Sequence, residues 1–169
     1  MGGLLFPVVC AAPLPKEVMD RFIEDNGVDA DNWRLVFVDS IDDYYDKASE
    51  APMEHGSNPN SPFIGKTPQE CHQLLLKLRE DTGSKIMTDV FAIMDERSTQ
   101  DDTVLLVCAE RDLDGEHQVL AMPTVRATFQ ASGSALILYE TGHSSVDEDA
   151  ERAASEEDNV YRGQWSTIT

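Results

Sequence analysis

Val90-Phe91-Ala92-Ile93-Met94 and Val104-Leu105-Leu106-Val107-Cys108 are two unbroken apolar runs of strand length, and Asp95 to Asp102 between them is polar throughout. A strand wet on one face alternates apolar and polar residues, whereas one covered on both faces is apolar at every position. The two runs therefore predict a pair of central strands joined by a charged surface loop. They define a core and leave function to the rest of the chain.

Working outward, Thr67-Pro68-Gln69-Glu70 carries a helix start. Thr67 caps, Pro68 fits the first turn, and Glu70 stands three residues after the cap to close a capping box. Cys71, Leu74, Leu75 and Leu78 then fall on one face, and Gly83 marks the stop. Leu35-Val36-Phe37-Val38 predicts a strand ended by Asp39-Ser40. That strand, the helix and the Val90 strand together make a right-handed βαβ crossover. The Val104 strand is expected to return antiparallel, and Asp112-Leu113-Asp114-Gly115 to turn into a further strand at Gln118–Met122. Near the start, Leu4–Cys10 reads as a short strand that Pro7 demotes to an edge. A helix from Pro15 to Asn26 follows, with Val18, Met19, Phe22 and Ile23 on one face and Gly27 as its stop. Pro123–Gln130 reads as helical and Ala135–Tyr139 as a buried strand. From Lys47 to Lys66, three Pro, two Gly, two Asn and three Ser spell a long loop. The expected fold is one α+β domain over residues 1–169. It has a mixed, mostly antiparallel sheet of about five or six strands and two or three packed helices.

A chain of 169 residues buries roughly 70% of its unfolded surface without staples. Its three cysteines, with no CxxC spacing, point to a reducing compartment. The apolar start lacks a basic flank and carries Pro7, so it reads poorly as a signal peptide. Phe6 stands where a myristoylation motif wants Ser or Thr. The expected location is cytoplasmic or nuclear, with no membrane span. Thirteen basic against thirty-two acidic residues give a net charge of −19. Such a field repels nucleic acid and anionic lipid and attracts basic partners. Residues 144–159 hold seven acids and one Arg, as a helix or a solvated tail.

Catalytic patterns are weak. Gly65-Lys66-Thr67 before a helix and Asp95-Glu96 after a strand imitate a nucleotide site. The loop's first glycine is replaced by Asn60, Pro62 interrupts it, and Pro68 removes an amide. Asp42-Asp43-Tyr44-Tyr45-Asp46 imitates a diphosphate-binding Asp-rich motif, but acids at a helix start explain it better. Cys71 and Cys108 sit in apolar surroundings as structural thiols, and Cys71 and His72 point about 100° apart on a helix. His55, His72, His117 and His143 have no metal spacing and read as surface imidazoles.

Three pieces together resemble a family of domains of unknown function common in actinobacteria and present in filamentous fungi. They are Phe37-Val38-Asp39 with Gly65-Lys66-Thr67-Pro68-Gln69-Glu70, the strand pair round Asp95, and Val160-Tyr161-Arg162-Gly163. The resemblance covers about Leu35 to Gly163 and implies an α+β fold. It brings no activity and no functional residue. The long 47–66 loop and the extension with Trp165 depart from that family's compact pattern.

The sequence thus points to a non-enzymatic intracellular interaction protein, with no cofactor and no metal, whose acidic surface meets a basic protein or a larger assembly. Expected contacts are Asp42, Asp43 and Asp46, then Asp147, Glu148, Asp149, Glu156, Glu157 and Asp158, with Tyr161, Arg162 and Trp165 as anchors. The competing expectation is a small Mg-dependent phosphohydrolase or nucleotide-binding enzyme using Asp39, Asp95 and Glu96 at strand ends.

Overall fold

In the computed structural model, which describes residues 4–26, 35–112 and 118–163, strands β1 (Phe6–Cys10), β2 (Leu35–Val38) and β3 (Val90–Met94) run parallel. β4 (Thr103–Cys108) and β7 (Thr124–Thr128) continue the sheet antiparallel, giving the order β2-β1-β3-β4-β7. A separate antiparallel ribbon pairs β5 (Glu110–Arg111) with β6 (Val119–Ala121). The result is a single α+β domain. Helices α1 (Lys16–Asp25), α2 (Pro68–Thr82), α4 (Phe129–Thr141) and α5 (Val146–Ala154) pack around the sheet, and a short helix α3 (Ser98–Asp101) lies in the β3–β4 connection.

The period of two along the strands sorts the core into two layers. Phe6, Val8 and Cys10 of β1, with Val90, Ala92 and Met94 of β3, face α1, α4 and α5. Val9, Phe91 and Ile93 face the other way, onto Cys71, Leu75 and Leu78 of α2 and onto Phe63. Both faces are covered, which is why β3 is apolar at every position and buried throughout. Phe22 of α1 anchors the first layer, edge-on to Phe129 at 5.1 Å and tilted against Phe37 at 6.0 Å.

The α2 start forms as its sequence dictates. Thr67 accepts from the Glu70 amide, Glu70 returns the bond to the Thr67 amide, and Gly83 ends the helix in the left-handed region at φ 71°. β2 and β3 are parallel, as a crossover through α2 requires, but they do not touch, because β1 lies between them.

Three expectations are corrected. β1 is an interior strand despite Pro7. Leu5 and Ala11 both donate towards the β3 side, so the amide that Pro7 lacks would point there too. On that side Leu5 pairs with Ile86 and the β3 register resumes only at Val8 opposite Ala92, so no ladder bond is forfeited. The segment from Thr124 to Thr128 is a strand, with Val125 and Ala127 turned inward at period two. Ala135–Tyr139 belongs to helix α4, capped by Thr128 and stopped by left-handed Gly142. A helix buried on most sides is as apolar as a covered strand, so hydropathy alone does not separate them. Gly27 and the turn centred on Leu113–Gly115 lie outside the described residues.

The two outer edges of the main sheet are covered. Beside β2, the Ser49 amide donates to Leu35 O and its hydroxyl accepts from the Phe37 amide. Beside β7, the Tyr161 amide donates to Arg126 O while Thr128 donates to Tyr161 O.

Candidate functional site

In parallel α/β sheets, ligands gather beyond the carboxyl ends of the strands where successive helices diverge to opposite faces. Here α1 leaves β1 for one face and α2 follows β2 on the other. The long loop occupies that place. Ser61 Oγ donates to Cys10 O at 2.7 Å, the Leu14 amide donates to Ser57 Oγ at 2.8 Å, and the Ser57 amide donates to Leu14 O. Phe63 is fully buried below. Gly56 passes so close to Leu14 that a Cβ there would stand 2.6 Å from the Leu14 carbonyl oxygen.

The strand-end carboxylates are engaged within the chain. Both oxygens of Asp95 accept from the Arg126 guanidinium, at 2.7 and 2.8 Å, and Ser98 adds amide and hydroxyl donors. Burial works against the ionised form, yet Arg126 and Ser98 hold the Asp95 carboxyl below its usual range. Asp39 accepts from the Asn58 amide at 2.8 Å and from Tyr45 Oη. Asp39 and Asp95 follow strands two places apart, roughly 10 Å, whereas carboxylates sharing one Mg²⁺ must both reach within about 2.1 Å of it. Lys66 is exposed at the start of α2, where its charge acts on Glu70 and Cys71. Among the described residues, no group of three His, Cys, Asp or Glu is placed to hold a metal ion.

Among the described residues, two depressions stand out. One of about 390 Å³ lies between α1, β2 and the loop, with Met19, Phe37 and Met53 as its floor and Asp39 and Glu54 at its rim. The other, about 300 Å³, is lined by Arg97, Arg126 and Asn159, with Arg97 bound to Asp101 and Arg126 to Asp95.

The expected acidic contacts fall into two groups at opposite margins of the sheet. Asp42, Asp43 and Asp46 are exposed near β2, beside Tyr44. Asp147, Glu148, Glu157 and Asp158 are exposed on and after α5, which packs against β7. From β2 to β7 the sheet spans four strand spacings, roughly 19 Å, against a screening length of about 8 Å in physiological salt. The groups act as independent surfaces.

Several expected contacts are corrected. Asp149 is fully buried, accepting from Tyr139 Oη at 2.5 Å and from Arg152 at 2.7 Å. Tyr161 is buried too, and burial, then the Asp149 charge, push its hydroxyl up to about 12. Asp149 is buried because α5 turns Val146, Asp149 and Ala153 inward on one helical stripe. Arg162 is exposed but clasps Asp158 with two bonds and lies 3.8 Å from half-buried Glu156. That clasp lowers the Asp158 carboxyl to about 2. Trp165 lies outside the described residues. His72, expected at the surface, is buried and hydrogen-bonded to Asp89 at 3.0 Å, and Arg111 grips the same carboxylate. The three cysteines are free thiols, and burial raises Cys71 to about 12 and Cys108 to about 11. Neither forms a thiolate near neutrality.

One exposed feature escaped the sequence reading. Val119, Leu120 and Ala121 of β6 are all exposed, Leu120 at 68%. At the foot of the same ribbon, exposed Glu110 stands beside Asp147 of α5, and that acidic neighbour raises the Glu110 carboxyl above its usual range. A strand is predicted at Gln118–Met122 and β6 lies within it; its exposure is what hydropathy does not announce, since an apolar run reads as covered.

Comparison of the chain with protein-family models, with curated proteins and with solved structures finds no match. The family resemblance therefore rests on its short motifs and carries no residue role. Among the described residues, no helix is long and apolar enough to cross a membrane.

Proposed function

We propose that this chain is a non-enzymatic intracellular interaction protein whose acidic surface binds a basic protein partner. The observation that carries the reading is the contrast between inward carboxylates held by internal donors and acids exposed at the surface. Asp39, Asp89, Asp95 and Asp149, the ones nearest the sheet, are spent on internal donors. Exposed acids stand along both margins, in a chain of net charge −19. A fold that fills its own strand-end crevice with Ser57, Ser61 and Phe63 leaves its outer surface as the place to meet other molecules. Buried free thiols suit the reducing interior of a cell.

The test is capture from native lysate at low ionic strength by the full chain, followed by a salt gradient and mass spectrometry. A basic protein is expected to be retained and to leave as salt rises. Neutralising the α5 group, with Asp147→Asn, Glu148→Gln and Glu157→Gln together, is expected to advance its elution. Failure to enrich basic proteins over a neutral control chain discards the reading.

A further inference from the structure

The β5–β6 ribbon stands apart from the five-stranded sheet, and among the described residues β6 has a neighbour on one side only. Successive strand residues point to opposite faces. The joint exposure of Val119, Leu120 and Ala121 therefore leaves both faces of β6 apolar and open. An unpaired strand edge presents a row of backbone donors and acceptors that accepts another strand. From this, resting on the reading of the chain as a binder of basic proteins, we infer that β6 is the docking edge, and that the partner supplies an extended segment alternating apolar residues with Lys or Arg.

Charge selects that occupant. Glu110 stands opposite Ala121 in the ribbon, and its carboxyl meets that of Asp147 from the first turn of α5. Glu148 is exposed one residue further on. Two carboxyls held together repel once both ionise, and a cation brought alongside relieves that repulsion. A second copy of this chain would bring the same acids and a further net charge of −19 to the edge. A basic strand brings the complement, with its apolar side chains against Leu120 and its backbone against β6.

Two fluorescein-labelled peptides of the same alternating lysine–valine sequence test the inference. One has ordinary amides, and one is N-methylated on every amide, so that neither of its edges can form a ladder. Binding to the full chain is read by anisotropy at low salt. The ordinary peptide is expected to bind and the methylated one to fail. Leu120→Ser is expected to weaken binding about tenfold without moving the melting temperature, since Leu120 is exposed. Glu110→Gln is expected to reduce the salt dependence. Equal binding of both peptides, or binding untouched by Leu120→Ser, overturns the ribbon as the docking edge and leaves the acidic-surface reading standing. Absence of any salt-sensitive binding by either peptide overturns both. Concentration-dependent dimerisation of the chain that Leu120→Ser abolishes assigns the edge to a second copy and overturns the proposed partner.

Discussion

Removing the hydroxyl of Tyr139 tests how the C-terminal third is held. Asp149 is fully buried on α5, beside donors from α4 and from its own helix: Tyr139 Oη at 2.5 Å and Arg152 Nη1 at 2.7 Å. Tyr139→Phe keeps the ring and strands one carboxylate oxygen without that donor, which costs about 1–3 kcal/mol. For a chain of this size, that is a fall of about 3–10 °C in melting temperature. Asp149→Asn in the same background removes the oxygen left without its donor and so part of what made the loss expensive. The double variant should therefore lose less than the two single variants summed, by about 1 kcal/mol or more. Urea unfolding followed by circular dichroism measures all four proteins, and an unchanged slope confirms that stability alone has moved. The pH profile adds a second reading. Burial, then Asp149, push the Tyr139 hydroxyl far up, so the folded state favours its neutral form. That contribution is lost as pH rises above about 10, where the unfolded tyrosine ionises. A Tyr139→Phe variant within 0.5 kcal/mol of the parent (about the additivity error of such comparisons) would refute the buried-carboxylate argument.

Gly56→Ala drives a methyl against the Leu14 backbone carbonyl and should cost about 1–3 kcal/mol in urea unfolding; an unaltered midpoint would show that the loop is not fixed where it fills the crevice. Arg126→Met should destabilise most at neutral pH, because the lowered Asp95 carboxyl contributes stability above its ordinary value and loses it as pH falls through its folded value. Stability curves of parent and variant should therefore converge as pH falls below the ordinary aspartate range, and curves that stay parallel contradict the pairing. Glu110 behaves with the opposite sign. Raised above 4.5 by Asp147, it favours the fold while protonated, and that contribution fades as pH rises through its folded value. Glu110→Gln should flatten this decline in thermal melts across weakly acidic pH, and an identical slope in the variant rejects the like-charge contact.

Local chemistry was legible where it was self-sufficient. The Thr67–Glu70 box, the Gly83 stop and the uniformly apolar β3 each declare themselves within a few residues. The stretch from Pro123 to Tyr139 was misread because its strand is spelled with Thr, Arg and Ala while the following helix is more apolar than the strand. Distant partners left no local trace: Arg126 meets Asp95 across 31 positions, and Ser61 meets Cys10 across 51. Asp149 looked like one more acid in an acidic run. Only the turn of α5 towards Tyr139 separates it from its exposed neighbours Asp147 and Glu148.

Short pieces of remote chain, Ser49 at one margin and Tyr161 at the other, hem the main sheet. Exposed margins are where sheets of neighbouring molecules zip together into polymers. With both hems sewn, a crowded solution of this chain has little to grow along. The ribbon that stays unhemmed is three residues wide at β6, enough to greet a visitor and too narrow to seed a fibre.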